Sequence, residues 1–265
     1  MNSHVALILP LLAASPSFAA SSQWQSSEGG SVRLVTSGLP DAQGRLRGAL
    51  EINLKPGWKT YWRNPGASGI PPEIDLSRSP HITAAEIRFP APERVHDGET
   101  VWAGYKHSVR LPVTFTLDQA DAVTLIDADV LLGICETICI PFQASFVFDP
   151  GADPDNQSDA FTVEMAHAAL PAPADDMFGI TGLELQDGVL VVEAHLPAGA
   201  DRPELFIDHE KPYLFGTPVL SSFDGGVAEF AVEIFASPGQ ALAESWLNYT
   251  LSSGGRAVEG KFQIR

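Results

Sequence analysis

The chain has 265 residues, with 33 acidic against 16 basic side chains. Its formal net charge of -17 argues against nucleic acid or an anionic membrane surface as a partner. With 23 glycines and 21 prolines, the composition suits two compact all-β units better than one large α/β domain.

At the amino terminus, Val5 to Leu12 forms a short apolar core, and Ala13-Ala14-Ser15-Pro16-Ser17-Phe18-Ala19-Ala20 follows it with small residues where a signal peptidase reads. Residues 1–20 are therefore expected to be a signal peptide cleaved near Ala19 or Ala20. The mature protein would meet an oxidising compartment, where disulfides form and persist.

Short apolar runs between turn residues then predict strands over 31–35, 47–54, 84–89, 109–117, 122–130 and 142–148. The stretch 130–148 is long and apolar enough to raise the question of a membrane span, but Glu136, Pro141 and Gln143 interrupt it. Paired strands account for it better, so no membrane span is expected after signal cleavage. The Pro/Asp/Gly-rich segment 149–156 reads as a linker, and 158–170 as a short amphipathic helix capped by Ser158 or Asp159 and ended by Pro171. Strands are expected again over 180–185, 189–196, 204–207, 227–234, 245–251 and 260–264. Turns at Asp187-Gly188, Asp224-Gly225-Gly226 and Ser253-Gly254-Gly255 point to a second sandwich of about seven strands. This second half, 151–265, carries no cysteine and no cluster of histidines or carboxylates, and reads as a structural or docking module.

The only two cysteines, Cys135 and Cys139, lie four positions apart. On one straight strand their Cα atoms would be about 13 Å apart, whereas a disulfide needs them within roughly 7 Å. The pair must lie on a turn, on a helical turn or across the neck of a hairpin. Pro141 and the flanking strand formers favour strand, tight turn, strand. A disulfide closing so small a ring removes about 2 kcal/mol of unfolded-state entropy, against roughly 4 to 5 kcal/mol for a bridge spanning most of a domain. Redox chemistry therefore explains the pair better than a structural clamp does. Thiol-disulfide exchange needs an attacking thiolate and a second thiol that resolves the mixed disulfide, and two cysteines on one turn supply both. The local sequence places no Lys, Arg or His beside either sulfur, and Glu136 between them would hold thiolate character down. That combination points to a partner-dependent carrier. Which cysteine attacks is left open by the residues alone.

Between Lys55 and Pro141 several ordered motifs occur: Pro56-Gly57-Trp58-Lys59-Thr60-Tyr61-Trp62-Arg63-Asn64-Pro65-Gly66, Gly69-Ile70-Pro71-Pro72, Phe89-Pro90-Ala91-Pro92, Gly104-Tyr105, Leu111-Pro112, and Cys135 to Pro141. Together they resemble the amino-terminal periplasmic domain of the thiol:disulfide interchange protein DsbD family, and most of all its suppressor-of-copper-sensitivity (ScsB-like) branch. The resemblance implies a redox domain over 21–150, an immunoglobulin-like sandwich, and a second such sandwich in tandem. It also implies a periplasmic thiol-disulfide oxidoreductase whose Cys135 and Cys139 take electrons from a membrane thiol:disulfide transporter and pass them to thioredoxin-like periplasmic proteins. Cytochrome c biogenesis, disulfide isomerisation and copper tolerance are the pathways it implies, and the later cysteine, Cys139, is the more exposed or attacked one. In that family an aromatic loop shields the active disulfide. His96-Asp97-Gly98-Glu99-Thr100-Val101-Trp102 occupies the matching place, which makes Trp102 the candidate shield, with Tyr105, Tyr61 and Glu136 in the surroundings. Two departures stand out: the spacing here is CxxxC, shorter than in the better-known enterobacterial form, and the chain shows no multi-span or thioredoxin-like segment, so the electron source is expected to be a separate protein.

Two other classes compete with the carrier reading. The thiolates could bind or buffer Cu(I), for which they are soft ligands, or the disulfide could be a clamp in a non-enzymatic scaffold. His96 and His107 lack the tight spacing of metal ligands, and no cofactor or metal is expected. The aromatic residues Trp58, Tyr61, Trp62, Trp102 and Tyr105 have an ordinary reading too, as core or edge packing.

Overall fold

A computed structural model describes residues 21–66, 69–97, 100–120, 125–209, 214–235 and 246–264. The expected signal peptide lies outside the described residues.

Eleven strands form the first sandwich among these residues: β1 (Gln25–Ser26), β2 (Gly30–Thr36), β3 (Arg45–Leu54), β4 (Lys59–Tyr61), β5 (Glu73–Asp75), β6 (Ile82–Ile87), β7 (Glu93–Asp97), β8 (Thr100–Tyr105), β9 (Val109–Leu117), β10 (Ile126–Cys135) and β11 (Cys139–Phe148). One sheet runs β1-β2-β3-β9-β6, and the other runs β11-β10-β4-β8-β7 with β5 also paired to β10. Strand residues alternate between faces, so Val32, Leu34, Leu46, Leu50, Ile52, Leu111, Val113 and Phe115 of the first sheet meet Ile126, Ala128, Val130, Leu132 and Ile134 of β10 in one core. Each fully buried aliphatic side chain of this kind contributes on the order of 2 kcal/mol. The apolar stretch 130–148 is the β10–β11 hairpin, paired from Ile126↔Phe148 to Cys135↔Cys139. Among the described residues no helix is long and apolar enough to cross a membrane.

The segment expected as a linker is more ordered than its composition implies. Asp149 caps a 3-10 turn (Pro150–Ala152) by accepting from the Gly151 N–H at 2.8 Å. Helix α1 (Gln157–Ala168) follows, capped by Asn156, whose side chain accepts from the Asp159 N–H. The cap is therefore neither Ser158 nor Asp159. Asp159 turns inward instead, accepting from the Ser21 hydroxyl at 2.6 Å, while Val163 and Ala166 pack on Val35 and Ala49.

The second sandwich contains β12 (Ala172–Pro173), β13 (Gly179–Gln186), β14 (Val189–His195), β15 (Glu204–His209), β16 (Leu214–Phe215), β17 (Val219–Asp224), β18 (Val227–Phe235), β19 (Trp246–Ser253) and β20 (Arg256–Gln263). Its sheets run β12-β20-β19-β15 and β13-β14-β18-β16, with β17 also on β18. Two-residue turns at Asp187-Gly188, Gly225-Gly226 and Gly254-Gly255 have positive φ at both positions, the backbone that matches strand twist in a tight hairpin. The protein is thus all-β, two immunoglobulin-like sandwiches in tandem with one short helix near their junction. The strands not anticipated from sequence include β4, β5, β7, β8, β16 and β17; β4 and β5 pair with the longer β10, β16 and β17 with the longer β18, and β7 and β8 with each other.

Candidate functional site

The site grows from the end of β10. Along Ile126 to Leu132 burial alternates, but from Leu132 to Cys135 every residue is buried, because the outer face of the sheet acquires its own cover there. That cover is a small cluster of Tyr61, Val95 and Trp102 around Cys135. Strand β4 brings Tyr61: Thr60 pairs with Ile134, and the Thr60 hydroxyl donates to the Gly133 carbonyl at 2.8 Å. Gly133 makes room for the phenol, since a Cβ there would come within 2.7 Å of the Tyr61 ring. The hairpin of β7 and β8 brings Val95 and Trp102, which are cross-strand partners.

Cys135 and Cys139 are joined in a disulfide across the neck of the hairpin, with Cα atoms 4.1 Å apart. Their exposures differ: Cys135 is 2% exposed, while Cys139 is open to solvent. Ile138, 70% exposed, stands at the tip of the turn beside it. The Tyr61 hydroxyl lies 2.7 Å from Cys139 Sγ and 3.2 Å from Cys135 Sγ. Neither sulfur of a disulfide carries a proton, so the phenol is the available donor, and its single O–H has Cys139 Sγ as the nearer acceptor. Trp102 packs on Tyr61 with ring centroids 4.6 Å apart and is itself 7% exposed.

The residues singled out from sequence separate according to strand parity. Tyr61 and Trp102 face the disulfide. Tyr105 does not: it lies an odd number of positions from Trp102 on β8, so it points into the sandwich core, where its hydroxyl donates to the Pro90 carbonyl at 2.8 Å. Burial there pushes its phenol well above the ordinary tyrosine value. Trp58 and Trp62 are also core residues. Glu136 is exposed on the turn, where its backbone N–H donates to the Ile138 carbonyl. His96 and His107 are exposed, on the edge strand and in the turn after β8. Among the described residues no group of three or more His, Cys, Asp or Glu could hold a metal ion.

One residue escaped sequence reasoning. No cation is near the cysteines along the chain, yet the ladder of β4 and β10 sets Lys59 directly opposite Cys135, and side chains directly opposite share a face. Only the strand register, which depends on pairing across 76 positions, could have exposed this neighbour.

The second sandwich abuts the strands that carry the cover. Arg94 of β7 donates to the Leu205 carbonyl at 2.7 Å and stacks over Phe206 at 4.6 Å. Asn64 donates to the Ile207 carbonyl, and Arg63 faces Asp208 at 3.6 Å. Burial lowers the affinity of both arginines for their protons and raises the Asp208 carboxyl, with Arg63 opposing the latter shift. A void of about 40 Å³ between the sandwiches is bordered by Trp62, Arg94, Trp102 and Phe206.

The small disulfide thus presents one buried and one exposed sulfur, the buried one under an aromatic cover. Residues 35–150 match the family described as thiol:disulfide interchange protein DsbD, N-terminal. The first sandwich is a DsbD amino-terminal domain. Residues 170–265 match a domain family of unknown function (DUF8393). The two-sandwich architecture as a whole is similar to the crystal structure of the N-terminal periplasmic domain of ScsB from Proteus mirabilis. The TM-score is 0.77 at 21% sequence identity, and the match covers 92% of this chain and 98% of that one. At that identity the likeness is one of fold. A search of curated proteins finds no match. The DsbD-type domain thus supplies a thiol-disulfide interchange unit, and its cysteine pair is the one at the β10–β11 neck.

Proposed function

We propose that the chain is a periplasmic thiol-disulfide exchange protein that takes electrons from a membrane thiol:disulfide transporter and passes them to thioredoxin-like periplasmic partners through Cys135 and Cys139. The observation that carries this reading is the asymmetry of the disulfide: Cys139 is open to solvent and Cys135 is 2% exposed. Exchange rate depends on which sulfur can be reached. An incoming thiolate meets Cys139, and Cys135 is the leaving and later resolving sulfur. The cover of Tyr61 and Trp102 packs around Cys135, which leaves Cys139 as the sulfur an incoming thiolate can reach.

Two measurements test the proposal. A Cys135→Ser variant lacks the resolving thiol, so Cys139 should accumulate mixed disulfides with its periplasmic partners, which can be isolated and identified. In a redox equilibrium the wild-type pair should titrate in the range of exchange proteins. Resistance to reduction until below about -300 mV, as structural bridges show, would make the pair a clamp and end the carrier reading.

A further inference from the structure

The disulfide can open only if something accommodates the charge that appears on the buried sulfur. Cys135 has almost no contact with water, and an anion in such a place is strongly disfavoured unless a donor meets it. The neighbours that face it are Val95, Trp102 and Tyr61 of the cover, Lys59 across the ladder and, on the turn, Glu136, whose charge opposes a thiolate. Of the cover residues only Tyr61 brings a hydrogen-bond donor within reach of both sulfurs.

We propose that Tyr61 is a catalytic residue of the exchange reaction, its hydroxyl donating to Cys139 Sγ in the disulfide and to Cys135 Sγ once that sulfur leaves as a thiolate. This role rests on the exchange reading above. In the first step a partner thiolate attacks Cys139 Sγ and forms a partner–Cys139 bond. The Cys135–Cys139 bond breaks, and its electron pair stays on Cys135. In the second step the partner's other thiolate attacks the partner sulfur of the mixed disulfide and releases Cys139 as a thiolate. The partner ends as a disulfide, oxidised by two electrons. The two reduced cysteines take up two protons from solvent, balancing those lost by the partner's thiols. A phenol is a weaker acid than a thiol, so Tyr61 keeps its proton throughout and acts as a donor that changes sulfur.

The geometry makes the change small. The hydroxyl lies 2.7 Å from one sulfur and 3.2 Å from the other, so a reorientation of the O–H serves both. The ring is held in place by the Gly133 notch and by Trp102. Such preorganisation is what lets a single donor stabilise charge as it develops.

Tyr61→Phe keeps the ring and removes the donor. Reduction of the disulfide by dithiothreitol should slow roughly tenfold, the factor expected for losing one hydrogen bond to a charged group. In a Cys139→Ser background, where Cys135 is the remaining thiol, Tyr61→Phe should move the pH profile of Cys135 alkylation to higher pH. A cooperative unfolding transition at the parent midpoint would show that the fold is retained. If the ring acted only as a cover, Tyr61→Phe would leave both readouts unchanged, and that result would overturn the donor role while the carrier reading stood. Failure of dithiothreitol to reduce the wild-type pair would instead overturn the carrier reading. The alkylation profile would still judge the hydrogen bond to Cys135 on its own.

Discussion

Phe206, on β15 of the second sandwich, packs edge-on against Trp62 of the first, with ring centroids 6.0 Å apart. It is 2% exposed and belongs to the core of the first sandwich. Arg94, from the hairpin that also holds Trp102, lies over its ring. The second sandwich therefore braces the strands that cover the disulfide.

Phe206→Ala should lower stability by about 3 kcal/mol or more, the usual cost of removing a buried aromatic ring. Urea unfolding followed by tryptophan fluorescence would report it, since Trp62 lies against the site of change. A change below ~1 kcal/mol would show that the contact contributes little.

Replacing both Cys135 and Cys139 by serine should leave the cooperative transition in place and reduce stability by about 2 kcal/mol, the chain-entropy value for so short a loop. Calorimetry of the double variant checks this. Loss of the transition would show that the disulfide clamps the fold.

Trp102→Ala should speed the reaction of the reduced pair with small alkylating reagents several-fold while affecting exchange with a protein partner much less, because access is one of the factors that sets exchange rate. Comparison with Tyr61→Phe is informative, because loss of cover and loss of a donor move the rate in opposite directions. An unchanged rate with reagents would place Trp102 outside the pathway of access.

His167 lies in the last turn of α1, with a buried Nε2 that has no hydrogen-bond partner among the described residues. Burial, reinforced by Arg47, holds its imidazole below the ordinary value of 6.5. In the unfolded chain the imidazole takes up a proton as pH falls through about 6.5, while in the folded protein it resists until lower pH. Stability is therefore present above that window and lost as pH falls through it. The urea midpoint should decline as pH falls below about 6.5, and His167→Gln should flatten that decline.

Gly133→Ala should destabilise the protein by roughly 1 to 3 kcal/mol, because the added methyl meets the Tyr61 ring and the core accommodates extra volume poorly. Displacing the ring should also disturb the disulfide's environment, measurable as a changed rate of reduction by dithiothreitol.

The longer strands were legible because their signals are local. Val109–Leu117 carries enough strand formers to be read from sequence alone, and the Asp187-Gly188 turn announces its backbone through residues that tolerate positive φ. Pro171 marked the end of α1 within a few residues. The cap was misplaced because Asn156, Ser158 and Asp159 are all good caps in isolation, and Asp159 was withdrawn from that role by a hydrogen bond to Ser21, 138 positions away.

By itself, then, the sequence determined an all-β chain with a cysteine pair confined to a turn, since strand propensity, turn chemistry and the reach of four residues are all local quantities. The family motifs pointed to segments that meet at the disulfide, but which of their side chains face it belongs to the tertiary structure. Trp102 and Tyr105 sit three residues apart, and only the pleat of β8 sends one to the disulfide and the other to the core. Tyr61 reaches the sulfurs, and Lys59 stands across from Cys135, because β4 pairs with β10 in one register. A slip of one residue would exchange the faces of both. Register and sandwich contact are set by the sum of long-range pairings, and no window of sequence contains that sum.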